Sequence, residues 1–385
     1  MDYDYIIVGA GLAGSTAAQQ AAKLHKKVLI IEKRDHIGGN CYDYMNKNGV
    51  LVHKYGPHIF HTNNERVYDY LSEFTAWNSY NHKVLGHIDN TLVPIPINII
   101  SIDKLVEHEK SEQLKNKLIK EYGINSKTSI LDLRKSDDPL IKEFAGLIYE
   151  KVFYNYTLKQ WDLTPEELNF EVVSRVPIHV SYDCRFFQDT YQGLPLDGYN
   201  WMFDNMLSNK NIDIVLNQDY NDRISLDEET NSVLFDGEVF DGEIIFTGMI
   251  DELFNYKFGE LPYRSVIFET TTREIRDCFQ EAGTINYPND YHFTRITEFK
   301  ILSQQQLTHT TLCFEFPVKY DKNNPEQNIP YYPIPQVEND ELYEKYALES
   351  TKYPNMHFVG RLAKYKYLNM DQVVLDVLEL FDKME

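Results

Sequence analysis

The chain has 385 residues, of which 43% are apolar and 25% charged, so it reads as an ordinary soluble globular protein rather than a disordered, collagen-like or coiled-coil one. At roughly 150 residues per domain this length predicts two or three domains. Asp and Glu outnumber Lys and Arg by 59 to 38, and the net charge of −21 speaks against a general nucleic-acid or anionic-membrane surface while leaving room for a local basic pocket.

In chain order, the first 32 residues predict β–α–β. Asp4 to Val8 is an apolar run, Gly9-Ala10-Gly11-Leu12-Ala13-Gly14 a turn, Ser15 to His25 an Ala-rich helix, and Val28 to Ile31 a second strand ending at Glu32. Residues 103 to 170 read as helix-rich, with one helix over Leu105 to Tyr122 and another over Pro139 to Tyr156. From 171 onward β-branched and aromatic runs predict strands of a mostly antiparallel sheet: Val176 to Ser181, Val266 to Thr271, His292 to Thr297 and Thr311 to Phe316. Ile212 to Leu216, Val233 to Phe235, Ile244 to Thr247 and Met356 to Gly360 are further short strands, and Met370 to Met384 an amphipathic helix. The expected fold class is α/β. A Rossmann-like nucleotide-binding domain (1–83, 206–252 and 336–385) is expected to be interrupted by a helical domain (103–170) and a mainly antiparallel β-sheet domain (84–102, 171–205 and 253–335).

The four cysteines, Cys41, Cys184, Cys278 and Cys313, form no CxxC pair and read as reduced thiols. MDYDYIIVG has no basic n-region, and the apolar stretch at 95–102 is too short and too interrupted to span a bilayer, so a cytoplasmic protein is expected.

The chemistry starts at the turn. GAGLAG follows a strand, opens a helix, and is answered by an acid, Glu32, at the end of the next strand, which makes a complete dinucleotide fingerprint. Gly9 supplies the tight turn, Gly11 the close approach of backbone to a pyrophosphate, Gly14 the helix–strand contact, and Glu32 an acceptor for ribose hydroxyls. Ile37-Gly38-Gly39-Asn40 adds a second glycine turn of the flavoprotein kind, and Val359-Gly360-Arg361 ends a strand ahead of another helix. There is no second GxGxxG, so no separate NAD(P)H domain is encoded. The same turns also suit a flavin oxidoreductase of the amine-oxidase kind, or a flavin-free binding protein like the GDP-dissociation inhibitors of small GTPases.

More specific segments select among these. GAGLAGS at 9–15, IGGN at 37–40, YGPHIFHT at 55–62, YTLKQW at 156–161, LPYR at 261–264, TRITE at 294–298, IPYYPI at 329–334 and GRLAKYKYLNMD at 360–371 together resemble the bacterial UDP-galactopyranose mutase family. The resemblance implies an isomerase that interconverts UDP-galactopyranose and UDP-galactofuranose without net redox. Its reduced FAD attacks the anomeric carbon through N5, forming a covalent sugar adduct. It also implies a place in cell-surface galactofuranose polysaccharide synthesis and a homodimer.

Carried over residue by residue, the resemblance makes Arg175 and Arg295 the diphosphate arginines and His58 the group beside the flavin. Phe153, Tyr156, Thr157, Trp161, Phe186, Asn286, Tyr331 and Tyr367 become the uridine, sugar and diphosphate contacts, with the hydroxyls of Tyr331 and Tyr367 reaching the diphosphate. For the cofactor it implies Gly9, Gly11, Leu12, Ala13, Gly14, Glu32, Lys33, Gly39, Asn40, Tyr55, Gly56, His58, Gly360, Arg361, Asn369 and Met370. No metal is expected, because His58 and His61 have no carboxylate cluster with them. Residues 161–187 are expected to form a lid that carries Arg175.

Three departures fall on the sugar side. Asn369 stands where the family commonly has Asp, Cys184-Arg185-Phe186 where Asp-Asn-Tyr is common, and Phe314-Glu315-Phe316 in a usually Tyr-rich strand. They leave a mutase for another UDP-hexose, such as UDP-N-acetylgalactosamine, as an alternative.

Overall fold

The computed structural model describes residues 2–169 and 176–384. Arg175, and the middle of the expected lid with it, lie outside the described residues.

The nucleotide-fold prediction starts from short apolar strands, and these form a five-stranded parallel sheet. Its order is Ile212–Val215, Val28–Ile31, Tyr5–Val8, Glu243–Phe246 and Met356–Phe358. Strands buried on both faces have no need of polar alternation. Tyr5, Ile7, Val28 and Ile30 pack on one side with the Ala-rich helix Leu12–Lys23 and the C-terminal helix Met370–Met384. Ile6, Val8, Leu29 and Ile31 pack on the other with the small meander of Ile224–Asp227, Ser232–Phe235 and Glu238–Val239. The helix begins at Leu12, earlier than the Ala run at Ser15 suggests, because the glycine turn itself enters the helix.

The second sheet has seven strands in the order Tyr332–Pro333, Tyr263–Glu274, His309–Lys319, Arg295–Glu298, Thr284–Asn286, Val84–Ile88 and Thr91–Ile95. It is antiparallel except where Thr284–Asn286 runs parallel to Val84–Ile88. One expected member is absent from it: Ile178–His179, within the Val176–Ser181 run, pairs instead with Lys127–Thr128. The helical layer packs on this sheet through a common core in which Val93, Ile95, Leu114, Ile141, Ile148 and Trp161 are buried, each large aliphatic contributing about 1.5–3 kcal/mol relative to exposure.

Two helical readings need correction. Leu105–Tyr122 is two helices, Ile99–Leu105 and His108–Tyr122, the first closed by a capping box of Asn98 and Ser101. Pro139–Tyr156 is not one α-helix. Pro139–Ile148 passes into a π-helical stretch, Tyr149–Tyr154, and the α-helix resumes at Asn155–Trp161. The wider π-turn shifts the phase of the apolar face. As a result Val152, Phe153, Tyr156, Thr157, Gln160 and Trp161 all face a cavity rather than a continuous core stripe.

Candidate active site

Two cavities meet between the parallel sheet and the seven-stranded sheet. The first, about 750 Å³, begins at the glycine turn. Gly9 holds φ +95°, and a Cβ there would come 2.4 Å from Thr247 Oγ1. Gly11 and Gly39 press their backbones together: a Cβ on Gly39 would lie 2.8 Å from Gly11 Cα. The floor of this cavity is therefore bare backbone at the N-terminus of a twelve-residue helix, which is the geometry a pyrophosphate needs.

Glu32 is buried and accepts from Ala10 N (2.7 Å) and Arg34 N (2.8 Å), so part of its acceptor capacity ties the turn to the second strand. Arg34 donates to Asn40 Oδ1 (2.9 Å) and lies 4.4 Å over the Tyr55 ring. Its Nη1 is buried without a partner among the described residues, and the residue lines the cavity wall. Lys33 pairs with Asp219 at 3.0 Å.

Of the cofactor residues expected from the sequence, Gly9, Gly11, Leu12, Ala13, Glu32, Lys33, Gly39, Asn40, His58, Gly360, Arg361 and Met370 line this cavity. Three do not. Gly14 sits behind it against the Gly9 carbonyl, Tyr55 is buried under Arg34, and Gly56 faces the Phe268 ring. Asn369 lines the second cavity instead. Motif membership fixes that a residue is near the site but not which way it faces.

The second cavity, about 450 Å³, has aromatic walls. Phe153, Tyr156, Thr157, Trp161, Phe186, Asn286, Arg295, Tyr331 and Tyr367 all line it, so the structure gathers every described substrate residue expected from the sequence. Trp161, Tyr332 and Tyr367 form a cluster with ring centroids 5.2–6.1 Å apart. Asn286 Oδ1 is buried without a partner among the described residues.

Arg295 donates from Nη2 to the Tyr156 hydroxyl (2.7 Å), and its Nε lies 3.4 Å from Glu315 Oε2. Glu315 is 4% exposed. Burial raises its pKa and Arg295 opposes that rise. Burial also works against the arginine's charge, but Glu315 and the surrounding phenols outweigh it and hold Arg295 cationic. Glu315 is thus the counter-ion that one of the sequence departures supplies.

The other departures resolve differently. The Arg185 cation does not join the cavity wall, because its Nε and Nη2 grip Asp183 in a bidentate pair. Tyr331 lines both cavities, but its hydroxyl donates to the Tyr55 carbonyl (2.7 Å), so its proton is not free for a diphosphate.

His58, Tyr331, Arg361 and Met370 line both cavities and make one continuous site of them. Arg361 is held by the Leu368 carbonyl (2.6 Å) and lies 4.9 Å over the Tyr367 ring. His58 Nδ1 is 3.0 Å from the Gly56 carbonyl, which fixes the proton there and leaves Nε2 an acceptor. Burial, with Arg361 adding to it, lowers the His58 pKa to about 4, so the ring is neutral at pH 7. His61 pairs with Asp189 (2.7 Å) and stacks on Phe187 at 3.6 Å. Among the described residues no group of three His, Cys, Asp or Glu side chains is placed to hold a metal ion, and no helix is long and apolar enough to cross a membrane.

The sequence reading missed Arg34, His82, Phe187 and Tyr332 on these walls. None belongs to a spacing pattern; only the second tyrosine of IPYYPI carried a hint.

Comparison with known proteins identifies the family. Residues 151–367 match the family described as UDP-galactopyranose mutase, and residues 7–74 match an NAD(P)-binding Rossmann-like domain. The UDP-galactopyranose mutase of Mycoplasma genitalium is 38% identical over 378 residues, covering 97% of this chain and 92% of that protein. The dTDP-fucopyranose mutase of Escherichia coli is 33% identical, covering 97% and 96%. A crystal structure of reduced UDP-galactopyranose mutase superposes with a TM-score of 0.72 at 17% identity, covering 100% of this chain and 94% of that one, a likeness of fold.

Proposed function

The chain belongs to the UDP-galactopyranose mutase family of flavin-dependent isomerases, and from that premise we propose that it interconverts UDP-galactopyranose and UDP-galactofuranose with FAD in the first cavity and the nucleotide sugar in the second. The observation that supports the reading is the shared wall of His58, Tyr331, Arg361 and Met370, at which a flavin in the first cavity would meet a sugar in the second.

The first cavity fits FAD. The Gly11–Gly39 backbone cradle, which a Cβ would fill, suits a pyrophosphate, as does the orphaned Arg34 Nη1, and Glu32 faces the ribose region. Bound and reduced, the flavin supplies the nucleophile, N5. Arg361 at the junction favours the anionic reduced state by its charge.

The protein does the rest. Trp161, Tyr367 and Tyr332 offer flat faces to the uridine. Asn286 Oδ1 is an acceptor for the uracil ring N–H. Arg295 meets the diphosphate, whose charge grows as the anomeric C–O bond breaks. Glu315 and Tyr156 keep the guanidinium oriented, so little reorganisation accompanies that step. His58 Nε2 accepts a hydrogen bond from a sugar hydroxyl and so orients it for ring opening and reclosure. Arg175 is the second diphosphate arginine in this reading, and the lid that carries it shields the reacting sugar from water.

The test is a panel of nucleotide sugars offered to FAD-loaded, dithionite-reduced protein, with products separated by chromatography. We expect UDP-galactofuranose to be converted faster than UDP-N-acetylgalactosamine or dTDP-fucopyranose. Preference for either competitor would transfer the substrate assignment to it.

A further inference from the structure

A buried cation outside both cavities touches the elements that build the second. Arg264, in the strand Tyr263–Glu274, is 6% exposed and lines neither cavity. Its main chain holds one wall: it pairs in register with Tyr332, and its carbonyl accepts from the Tyr331 N–H (2.9 Å). Its side chain holds the neighbouring wall. Nε donates to the Gln160 carbonyl (3.1 Å) and Nη2 to the Lys159 carbonyl (3.4 Å).

These carbonyls belong to the last turn of the helix Asn155–Trp161. A helix end leaves its final carbonyls without intrahelical partners and gathers partial negative charge, so it calls for donors from outside. The chain leaves this helix through Asp162 in the left-handed conformation (φ 60°), whose N–H returns to the Leu158 carbonyl (2.8 Å). That satisfies Leu158, and Arg264 satisfies Lys159 and Gln160 after it. A guanidinium reaches both with one rigid fork, which a lysine ammonium does not offer. Asp162 Oδ2 lies 3.8 Å from Nη1 but is 80% exposed, so the ion pair adds little. The capped turn carries Trp161, whose ring lines the second cavity 5.7 Å from the Tyr332 ring.

We propose that Arg264 is a positioning residue for nucleotide binding: with its side chain on the helix end and its main chain on Tyr331 and Tyr332, it holds the Trp161–Tyr332 corner of the second cavity in the geometry that receives the nucleotide. The proposal rests on the second cavity being the nucleotide-sugar site. Arg264 touches no substrate, so it acts by pre-organisation. Without the cap the last turn loosens, and the Trp161 ring must be ordered at the moment of binding, which lowers affinity. A substitution at 264 leaves the main-chain pairing with Tyr332 in place and removes the cap alone. Because the ring contact is made equally before and during reaction, its loss raises KM and spares kcat.

The experiment is a titration of FAD-loaded protein with UDP, read as flavin absorbance change, with reduced-state kinetics on UDP-galactofuranose beside it. Arg264→Gln is expected to bind UDP roughly tenfold more weakly, the scale of one lost ring contact. Its KM should rise by a like factor with kcat within about twofold of wild type, and its flavin should stay bound. Arg264→Lys, which keeps a cation but not the fork, should fall between the two, and it carries the test if Arg264→Gln does not fold. Asp162→Asn should bind UDP as wild type does. The decisive measurement is the cycle with Trp161→Ala. If Arg264 acts through Trp161, Arg264→Gln adds less than about twofold to the weakening that Trp161→Ala already causes, whereas a general loosening of the sheet would add its full effect.

The proposal is overturned if Arg264→Gln binds UDP as tightly as wild type, if it lowers kcat with KM unchanged, or if its effect is undiminished in the Trp161→Ala background. Asp162→Asn that reproduces the Arg264→Gln defect would also overturn it, in favour of the ion pair. Wild type that binds UDP while Arg264→Gln binds it equally removes the Arg264 role but leaves the site. Wild type that binds no UDP removes both.

Discussion

Arg295→Ala is expected to lower kcat for UDP-galactofuranose by roughly 10²- to 10³-fold, the usual loss when one donor to a developing negative charge is removed. The flavin should remain bound, because Arg295 lines the second cavity and not the first. The substitution removes the group that Tyr156 and Glu315 hold in place, and it leaves a 4%-exposed carboxylate without its counter-ion. Glu315 then takes a proton, since burial already pushes its pKa upward. The double variant with Glu315→Gln should regain thermal stability without regaining rate, which separates charge burial from catalysis. Arg295→Lys keeps the charge but not the fork that spans Tyr156 and the diphosphate, so it should recover only part of the rate. Reduced-state kinetics with the flavin absorbance recorded in parallel decide the matter; a kcat near wild type for Arg295→Ala would remove this residue from its role.

The other large effect lies at the glycine turn. A Cβ on Gly14 would fall 1.9 Å from the Gly9 carbonyl oxygen and 3.2 Å from Ile7 Cγ2. The first obstacle is backbone at the cradle itself, so no side-chain rotation relieves it. Gly14→Ala is therefore expected to cost about 3 kcal/mol, and to yield protein that purifies without yellow colour. Gly146→Ala is the control. Nothing lies within 4 Å of its Cβ, and it sits inside the helix Pro139–Ile148, so it should gain up to about 1 kcal/mol through helix propensity. Thermal melts of the two variants, with bound flavin measured, should move in opposite directions; equal behaviour would contradict the close approach of turn and helix.

The β–α–β unit was legible because its glycines, apolar strands and Glu32 each answer a separate steric or electrostatic need, and these needs coincide in one short segment. The walls of the second cavity were legible only through whole motifs. Nothing in the spacing of Phe153, Asn286 or Tyr367 brings them together without the sheet order that does so. Facing directions were not legible: Tyr55 and Gly56 lie beside His58 in sequence yet turn away from the cavity it lines. Arg185 reads as a cation beside the substrate until Asp183, two residues earlier, is seen to hold it. The π-turn at Tyr149–Tyr154 escaped because the local pattern satisfies an α-helix almost as well. Arg264 stood in a motif, but the carbonyls it caps belong to a helix far earlier in the chain and are met only in the fold.

The central claim is that a flavin and a nucleotide sugar meet at the junction of the two cavities. It is tested most directly by following the UDP-galactopyranose to UDP-galactofuranose ratio for FAD-loaded protein in the oxidised and the dithionite-reduced state. The account predicts equilibration of the two sugars in the reduced sample and none in the oxidised one. Equal rates in both states, or a reduced, flavin-loaded protein that leaves every UDP-sugar unchanged, would contradict it.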